Sequence, residues 1–106
     1  MVLIAEIGGE VMGVLVGGAR WQLHYGSTTG SIDALVVDAA YRSAGLGASL
    51  VHAFVEILDR DGVPRVEVHS NARRTRAHRF YERLGFQPTS VYFVRDLTHH
   101  TGEPVQ

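Results

Sequence analysis

The sequence predicts an α+β domain, a mixed, mostly antiparallel central sheet with helices packed on it. Three observations point there. Four strand-like runs precede the first strongly helical segment, an order that disfavours a doubly wound sheet built from early βαβ units. The apolar period then lengthens from that of a strand to that of a helix at Leu46. The 106 residues, 45% hydrophobic and 20% charged, suffice for one domain and are too apolar for intrinsic disorder.

Each element has a local cause. Val2–Ile7 and Val11–Val16 are β-branched runs joined by Gly8-Gly9-Glu10, and a Gly-Gly pair between such runs predicts a tight hairpin. Gly17-Gly18 is expected to end the second run, Trp21–Tyr25 to form a third strand, and Gly26-Ser27-Thr28-Thr29-Gly30 to be a loop. Ile32–Val37 reads as a fourth strand, its continuous Leu35-Val36-Val37 suiting a strand covered on both faces. Leu46, Leu50, Phe54, Ile57 and Leu58 then make one helical stripe, with His52, Glu56 and Asp59 turned away, and Asp61-Gly62-Val63-Pro64 stops that helix.

Arg65–His69 alternates as a strand, Val66 and Val68 on one side and Glu67 and His69 on the other. The polar stretch Ser70–Arg76 leads into a second helix with Ala77, Phe80, Tyr81 and Leu84 inside and Gly85 at a left-handed C-cap. Phe86 and Val91–Leu97 supply the last strand. The domain is expected to span residues 1–98, and the tail 99–106, with Gly102, Pro104 and no apolar pattern, to fray.

Composition excludes several classes of function. Ten basic against eleven acidic residues give a net charge of −1, so there is no general pull toward nucleic acid. Every basic residue other than histidine is an arginine. No run approaches the ~20 apolar residues of a membrane span, and Met1–Glu6 lacks the basic segment of a secretory signal. The absence of cysteine removes disulfides, thiolate metal sites and cysteine nucleophiles, and fits a cytoplasmic setting. His52 and Glu56 lie one helical turn apart with no third ligand evident, so no metal is expected.

The stretch from Val36 to Ala48 carries the chemistry. A strand runs into a turn holding Gly45-x-Gly47, and the turn opens an amphipathic helix. Free N–H groups at a helix start bind anions, glycines admit a phosphate to the backbone, and Arg42 can add a side-chain contact. Two phosphate motifs fail here. The Gly-x-x-x-x-Gly-Lys-Ser/Thr loop needs a lysine, and the dinucleotide fingerprint needs a small residue where Leu50 stands. From glycine spacing alone, a helix start that binds nothing is an equal reading.

The segment resembles the GNAT superfamily of acyl-CoA-dependent N-acyltransferases. Arg42-Ser43-Ala44-Gly45-Leu46-Gly47 matches its Gln/Arg-x-x-Gly-x-Gly/Ala motif, and Ala77-His78-Arg79-Phe80-Tyr81-Glu82-Arg83-Leu84-Gly85-Phe86 is similar to its Ala-x-x-Phe-Tyr-x-x-x-Gly-Phe signature. The resemblance implies that the backbone of Leu35, Val36 and Val37 holds the pantetheine arm of acetyl-CoA like an added strand. It implies that Ser43, Ala44, Gly45, Leu46, Gly47 and Ala48 wrap the pyrophosphate, and that Tyr81 protonates the departing thiolate. The activity implied is direct acetyl transfer from acetyl-CoA to a primary amine in a ternary complex, with no metal.

That chemistry is self-consistent. An alkyl amine has a pKa near 10 and attacks only when neutral, so a base or a water relay is needed. A thiol has a pKa of about 8.5 and tyrosine about 10, so a tyrosine holds its proton at neutral pH until the sulfur leaves. Asp33, on the strand leading to the coenzyme and expected to share a face with Leu35 and Val37, is the first candidate base. Glu67, His69 and water alone are the others. Arg73, Arg74, Arg76 and Arg79 form a basic patch that either meets the 3′-phosphate end of coenzyme A or is a solvated face.

Three departures from the family pattern stand out. Ala39 occupies a frequent proline position. Asn71 lies ten residues before Tyr81, where the commoner spacing is seven. The chain also starts directly at the first hairpin, where relatives place a strand and two helices that wall the acceptor site. A short sheet with one bare face favours association, so a homodimer is expected. A non-catalytic acyl-CoA-binding or protein-interaction module is the competing expectation.

Overall fold

The computed structural model describes residues 1–23, 25–42, 44–68, 75–89 and 95–97. Strands β1 (Val2–Ile7), β2 (Glu10–Gln22) and β3 (Ser27–Val37) are followed by a 3-10 turn (Ala39–Tyr41), helix α1 (Leu46–Arg60), strand β4 (Val66–Val68) and helix α2 (Thr75–Arg83). The sheet has the order β1-β2-β3-β4, antiparallel in its first two pairings and parallel between β3 and β4. The fold is therefore the expected α+β arrangement with a mixed sheet.

One correction concerns the middle of the sheet. Where two strands and a loop were expected between Val11 and Gly30, there is a single hairpin of long strands, 13 and 11 residues, and Gly17-Gly18 lies inside β2. Packing explains it. A Cβ on Gly17 would stand 2.5 Å from the carbonyl oxygen of Ser31 and 2.7 Å from Phe54 Cζ, one on Gly13 would stand 3.0 Å from Leu50 Cδ1, and one on Gly30 would overlap Leu58 Cδ1. Helix α1 lays Leu50, Phe54 and Leu58 into a groove of glycines. These residues read locally as strand breakers but are the places where the sheet makes room for the helix.

Cross-strand rows define the core face. Leu3, Leu15 and Leu35 form one row; Ala5, Gly13 and Val37 a second; Gly17, Ile32 and Val68 a third. Leu15, Ile32, Leu50, Val51, Phe54 and Leu58 are the buried centre. Of the predicted helix stripe, Leu50, Phe54 and Leu58 are buried and Leu46 and Ile57 partly so, while Gly47 and Val51 are buried as well. Gly62, with φ of +76°, follows the end of α1, and its N–H donates to the carbonyl of Asp59.

A second correction is local to β3. Val16 pairs with Ala34 and Gly17 with Ile32, so Asp33 is the extra residue of a bulge. The bulge shifts the alternation by one: Ile32 faces the core before it, and Leu35 and Val37 after it. Asp33 itself is exposed rather than sharing a face with Leu35 and Val37.

The expected strand Val91–Leu97 and the tail 99–106 fall largely outside the described residues, and Arg95–Leu97 carry no regular structure.

Candidate functional site

The site begins beyond the described pairing of β3 with β4. The parallel pairing covers only Gly30–Val66, Ser31–Glu67 and Ile32–Val68. Among the described residues, Ala34 to Val37 have a ladder partner on the β2 side alone, and Asp33, the bulge residue, has none on either side. The Asp38 N–H donates to the Met12 carbonyl across that β2 side at 2.8 Å. Strand alternation then turns the main-chain groups of Val37 and Leu35 to the open edge, and those of Val36 toward β2. The Val37 carbonyl does accept at that edge, from Arg42 Nε at 3.3 Å. Among the described residues, the N–H and carbonyl of Leu35 and the N–H of Val37 therefore face that edge without a ladder partner.

Strand β3 then runs into the helix start. Asp38 Oδ1 accepts from the Ala40 N–H at 2.9 Å, the Asp38 carbonyl accepts from Tyr41 at 2.9 Å, and the Tyr41 carbonyl accepts from Ala44 at 3.2 Å. Gly45 caps α1 with φ of +80° and ψ of 10°, a left-handed conformation that a side chain disfavours. A Cβ there would meet nothing within 4 Å, so the cap opens onto free space, and α1 begins with no side-chain cap on its first amides. Open space, unpaired N–H groups and the positive end of the helix dipole together fit a diphosphate. Ser43 lies outside the described residues. Ala44, Gly45, Leu46 and Ala48 are partly or fully exposed.

Gly47 behaves differently from the expected phosphate-facing glycine. It is buried, and a Cβ would stand 3.4 Å from Phe80 Cζ and 3.6 Å from Val37 Cγ2. Its side faces the protein interior. There it joins the end of β3, the start of α1 and helix α2 at one point, which brings the two sequence motifs together.

Tyr81 follows Phe80. Its ring stands edge-on to Phe80 at 5.0 Å between centroids and edge-on to Phe86 at 5.6 Å. The Tyr81 carbonyl accepts from both Leu84 and Phe86 where Gly85, φ +93°, ends α2. Burial raises the phenol above its usual pKa of 10.0, so it holds its proton at neutral pH.

Two carboxylate residues have Ser31 as a neighbour. Ser31 Oγ donates to Asp33 Oδ1 at 2.9 Å, and Ser31 is the cross-strand partner of the half-buried Glu67. His69, Asn71, Arg73 and Arg74 lie outside the described residues. Arg42, Arg76 and Arg79 are exposed, and His52 and Glu56 face solvent on α1. Among the described residues, no group of three His, Asp or Glu side chains could hold a metal ion. Asp38 had no role in the sequence analysis, although an aspartate just ahead of a turn of helix is a recognised capping signal.

The model of the acetyltransferase (GNAT) family matches residues 1–86. The chain belongs to the GNAT acetyltransferase family. Aminoalkylphosphonate N-acetyltransferase of Salmonella typhimurium is 32% identical over 89 residues, covering 84% of this chain and 58% of that protein. A solved Trypanosoma brucei acetyltransferase shares 32% identity, covering 84% of this chain and 61% of the other, at a TM-score of 0.67. The fold is also that of AAC(6')-Iy in complex with the bisubstrate analogue CoA-S-monomethyl-acetylneamine, at 20% identity and a TM-score of 0.81, covering 92% of this chain and 69% of that one. The chain spans about half the length of the curated relatives it matches, 58% of the Salmonella protein and 47% of two Bacillus subtilis proteins. The GNAT resemblance seen in the two motifs is thus a membership, and the end of β3, the turn and the helix start lie within the matched residues.

Proposed function

We propose that the chain is an acetyl-CoA-dependent N-acetyltransferase that moves an acetyl group directly to a primary amine in a ternary complex. The observation that carries this is the open edge of β3 at Leu35 and Val37, leading straight into the uncapped start of α1. Family membership, a relative named for N-acetyl transfer and a fold neighbour holding a coenzyme A conjugate all support it.

Leu35 and Val37 would pair with the pantetheine arm by main-chain hydrogen bonds, with Val36 holding their strand against β2. The amides from Ser43 to Ala48 would take the diphosphate, and Arg42 would flank it. Acetyl-CoA supplies the thioester carbonyl on which the amine acts. Asp33, oriented by Ser31, takes the proton of the incoming amine directly or through water, with Glu67 beside it as the second carboxylate. A main-chain N–H at the open edge stabilises the charge that gathers on the carbonyl oxygen. Tyr81 gives its proton to sulfur as the carbon–sulfur bond breaks. Handing a proton from an ordinary phenol of pKa about 10 to a thiolate of about 8.5 is uphill by about 2 kcal/mol, and the raised pKa of Tyr81 adds to that cost. No protein nucleophile is required, and the sequence has no cysteine to serve as one.

The face of the sheet turned away from α1 carries the apolar rows Val2–Val16–Ala34 and Ile4–Val14–Val36, with Val2, Ile4 and Val36 between 51% and 64% exposed. These rows support a homodimer, which a molar-mass measurement at micromolar concentration tests. No described helix is long and apolar enough to cross a membrane. A cysteine-free chain using coenzyme A suits the cytoplasm.

Titration calorimetry with coenzyme A, followed by thiol release over a set of amines, tests the activity. Binding and amine-dependent release of free thiol are expected. Binding with no release for any amine would favour the non-catalytic module, and no binding at millimolar coenzyme would remove both readings.

A further inference from the structure

Building on the coenzyme site proposed above, we infer that Asp38 is a positioning residue, whose carboxylate holds the phosphate-binding turn in shape where no proline does so. Asp38 sits between the open edge of β3 and the start of α1. Its side chain accepts from the Ala40 N–H at 2.9 Å, its main-chain N–H donates to Met12 on β2 at 2.8 Å, and its carbonyl accepts from Tyr41 at 2.9 Å. One residue thus ties the turn to the sheet on one side and starts the 3-10 turn on the other. Met12 receives that bond because strand alternation turns its main-chain groups, like those of Val14, toward β3, and it is also a bulge residue on its β1 side. Ala5 pairs with Gly13 and Glu6 with Val11, which leaves Met12 outside the β1–β2 ladder.

The turn needs such a restraint. Ala39 follows Asp38, and alanine leaves φ free at the first position of the turn. A proline would fix φ there without cost, because the N–H it removes is one that a helix start leaves unpaired in any case. Asp38 already has the extended ψ, 137°, that a residue before proline favours, and is out of the helical region that proline disfavours there. The carboxylate cap and a ring at position 39 are therefore two routes to one conformation, and this chain uses the cap.

Electrostatics and conformation predict opposite signs, which makes the inference testable. Asp38 is exposed and negatively charged beside a site for an anion. On Coulomb terms alone its removal tightens coenzyme A. As a positioning residue, its removal loosens the turn and weakens coenzyme A.

The experiment is calorimetric titration of coenzyme A into the wild-type chain, Asp38→Ala, Asp38→Asn and the double variant Asp38→Ala/Ala39→Pro, with a thermal midpoint for each. Asp38→Ala is expected to raise Kd roughly fivefold, the factor that corresponds to about 1 kcal/mol for a lost cap. Asp38→Asn, which keeps an accepting oxygen without the charge, is expected to stay within about twofold of wild type. The double variant is expected to recover most of the lost affinity. Where acetyl transfer is measured, the change falls mainly on KM for acetyl-CoA and much less on kcat.

An unchanged or lower Kd in Asp38→Ala overturns the inference. So does a double variant that binds as weakly as the single one, a result that reads out even if Asp38→Ala itself folds poorly. If the wild-type chain binds no coenzyme A, the proposed function falls with it. If the wild type binds and Asp38→Ala binds equally well, only the role of Asp38 falls.

Discussion

The glycines under α1 and the glycine at its start are the same residue used for opposite purposes. Gly13, Gly17 and Gly30 lie in ordinary strand conformation, and the space a Cβ would need is filled by Leu50, Phe54, Leu58 and the Ser31 carbonyl. Gly45 has no neighbour within 4 Å of that position, and what it supplies is a positive φ. The first region trades side chains for closeness and holds the sheet to the helix. The second gives up packing to point main-chain amides at open space. Substitutions that damage stability should therefore separate from those that damage coenzyme binding or rate, and each prediction below either sharpens that division or breaks it.

The largest effect is expected on rate at Tyr81. Tyr81→Phe removes the proposed proton donor and keeps the ring between Phe80 and Phe86. It should lower kcat by about 10²-fold or more, with coenzyme A affinity within about twofold and stability changed by less than about 1 kcal/mol. A variant with full kcat would remove Tyr81 from the chemistry. The same residue gives a pH signature. Burial raises its pKa above 10.0, so the fold favours the neutral phenol. That stability is complete below pH 10 and is lost as pH rises through the higher folded value. Thermal midpoints followed into strong alkali should fall more steeply for the wild type than for Tyr81→Phe.

Next in size is Gly17→Ala. The new methyl would meet the Ser31 carbonyl at 2.5 Å and Phe54 at 2.7 Å, and the backbone oxygen cannot rotate away as a side-chain tip can. A loss of about 2 kcal/mol is expected, a fall of roughly 10 °C in Tm, with coenzyme A affinity of the folded fraction little changed. Thermal denaturation measures the first and calorimetry below the transition the second. A stable Gly17→Ala would mean that the groove is not tightly filled.

Legibility from sequence followed the range of the interaction involved. The first hairpin, the apolar stripe of α1 and the Gly85 cap were readable because each signal lies within a few residues of its consequence. The β2–β3 hairpin was not, since Gly17 and Gly30 are explained by Phe54 and Leu58, side chains far away in the chain. The bulge at Asp33 was hidden for a related reason. Alternation within one strand cannot reveal that Gly17, on the partner, skips a position. In the candidate site, the helix start and Tyr81 were carried by motif, and the structure gives both a physical setting. The inward role of Gly47 and the hydrogen bonds of Asp38 required coordinates, because each depends on which neighbour the chain folds against.

The smallest effects come from the motif glycines themselves, and they discriminate best. Gly45→Ala places a methyl in free space, so no clash opposes it, but a left-handed alanine costs about 1 kcal/mol and the cap is drawn out of shape. A fall of roughly 5 °C in Tm is expected, with a several-fold weaker coenzyme A, because the distortion falls on the amides that would face the diphosphate. Gly47→Ala sits inside α1, where alanine is the better helix former by about 1 kcal/mol, and its methyl would touch Phe80 and Val37 at ordinary contact distances of 3.4 and 3.6 Å. Its midpoint should therefore move by no more than about 3 °C in either direction, and its affinity should change less than that of Gly45→Ala. If the order were reversed, with Gly47→Ala the weaker binder, the diphosphate would have to approach the buried side of α1, and the assignment of the open side at Gly45 as the anion-facing one would be wrong.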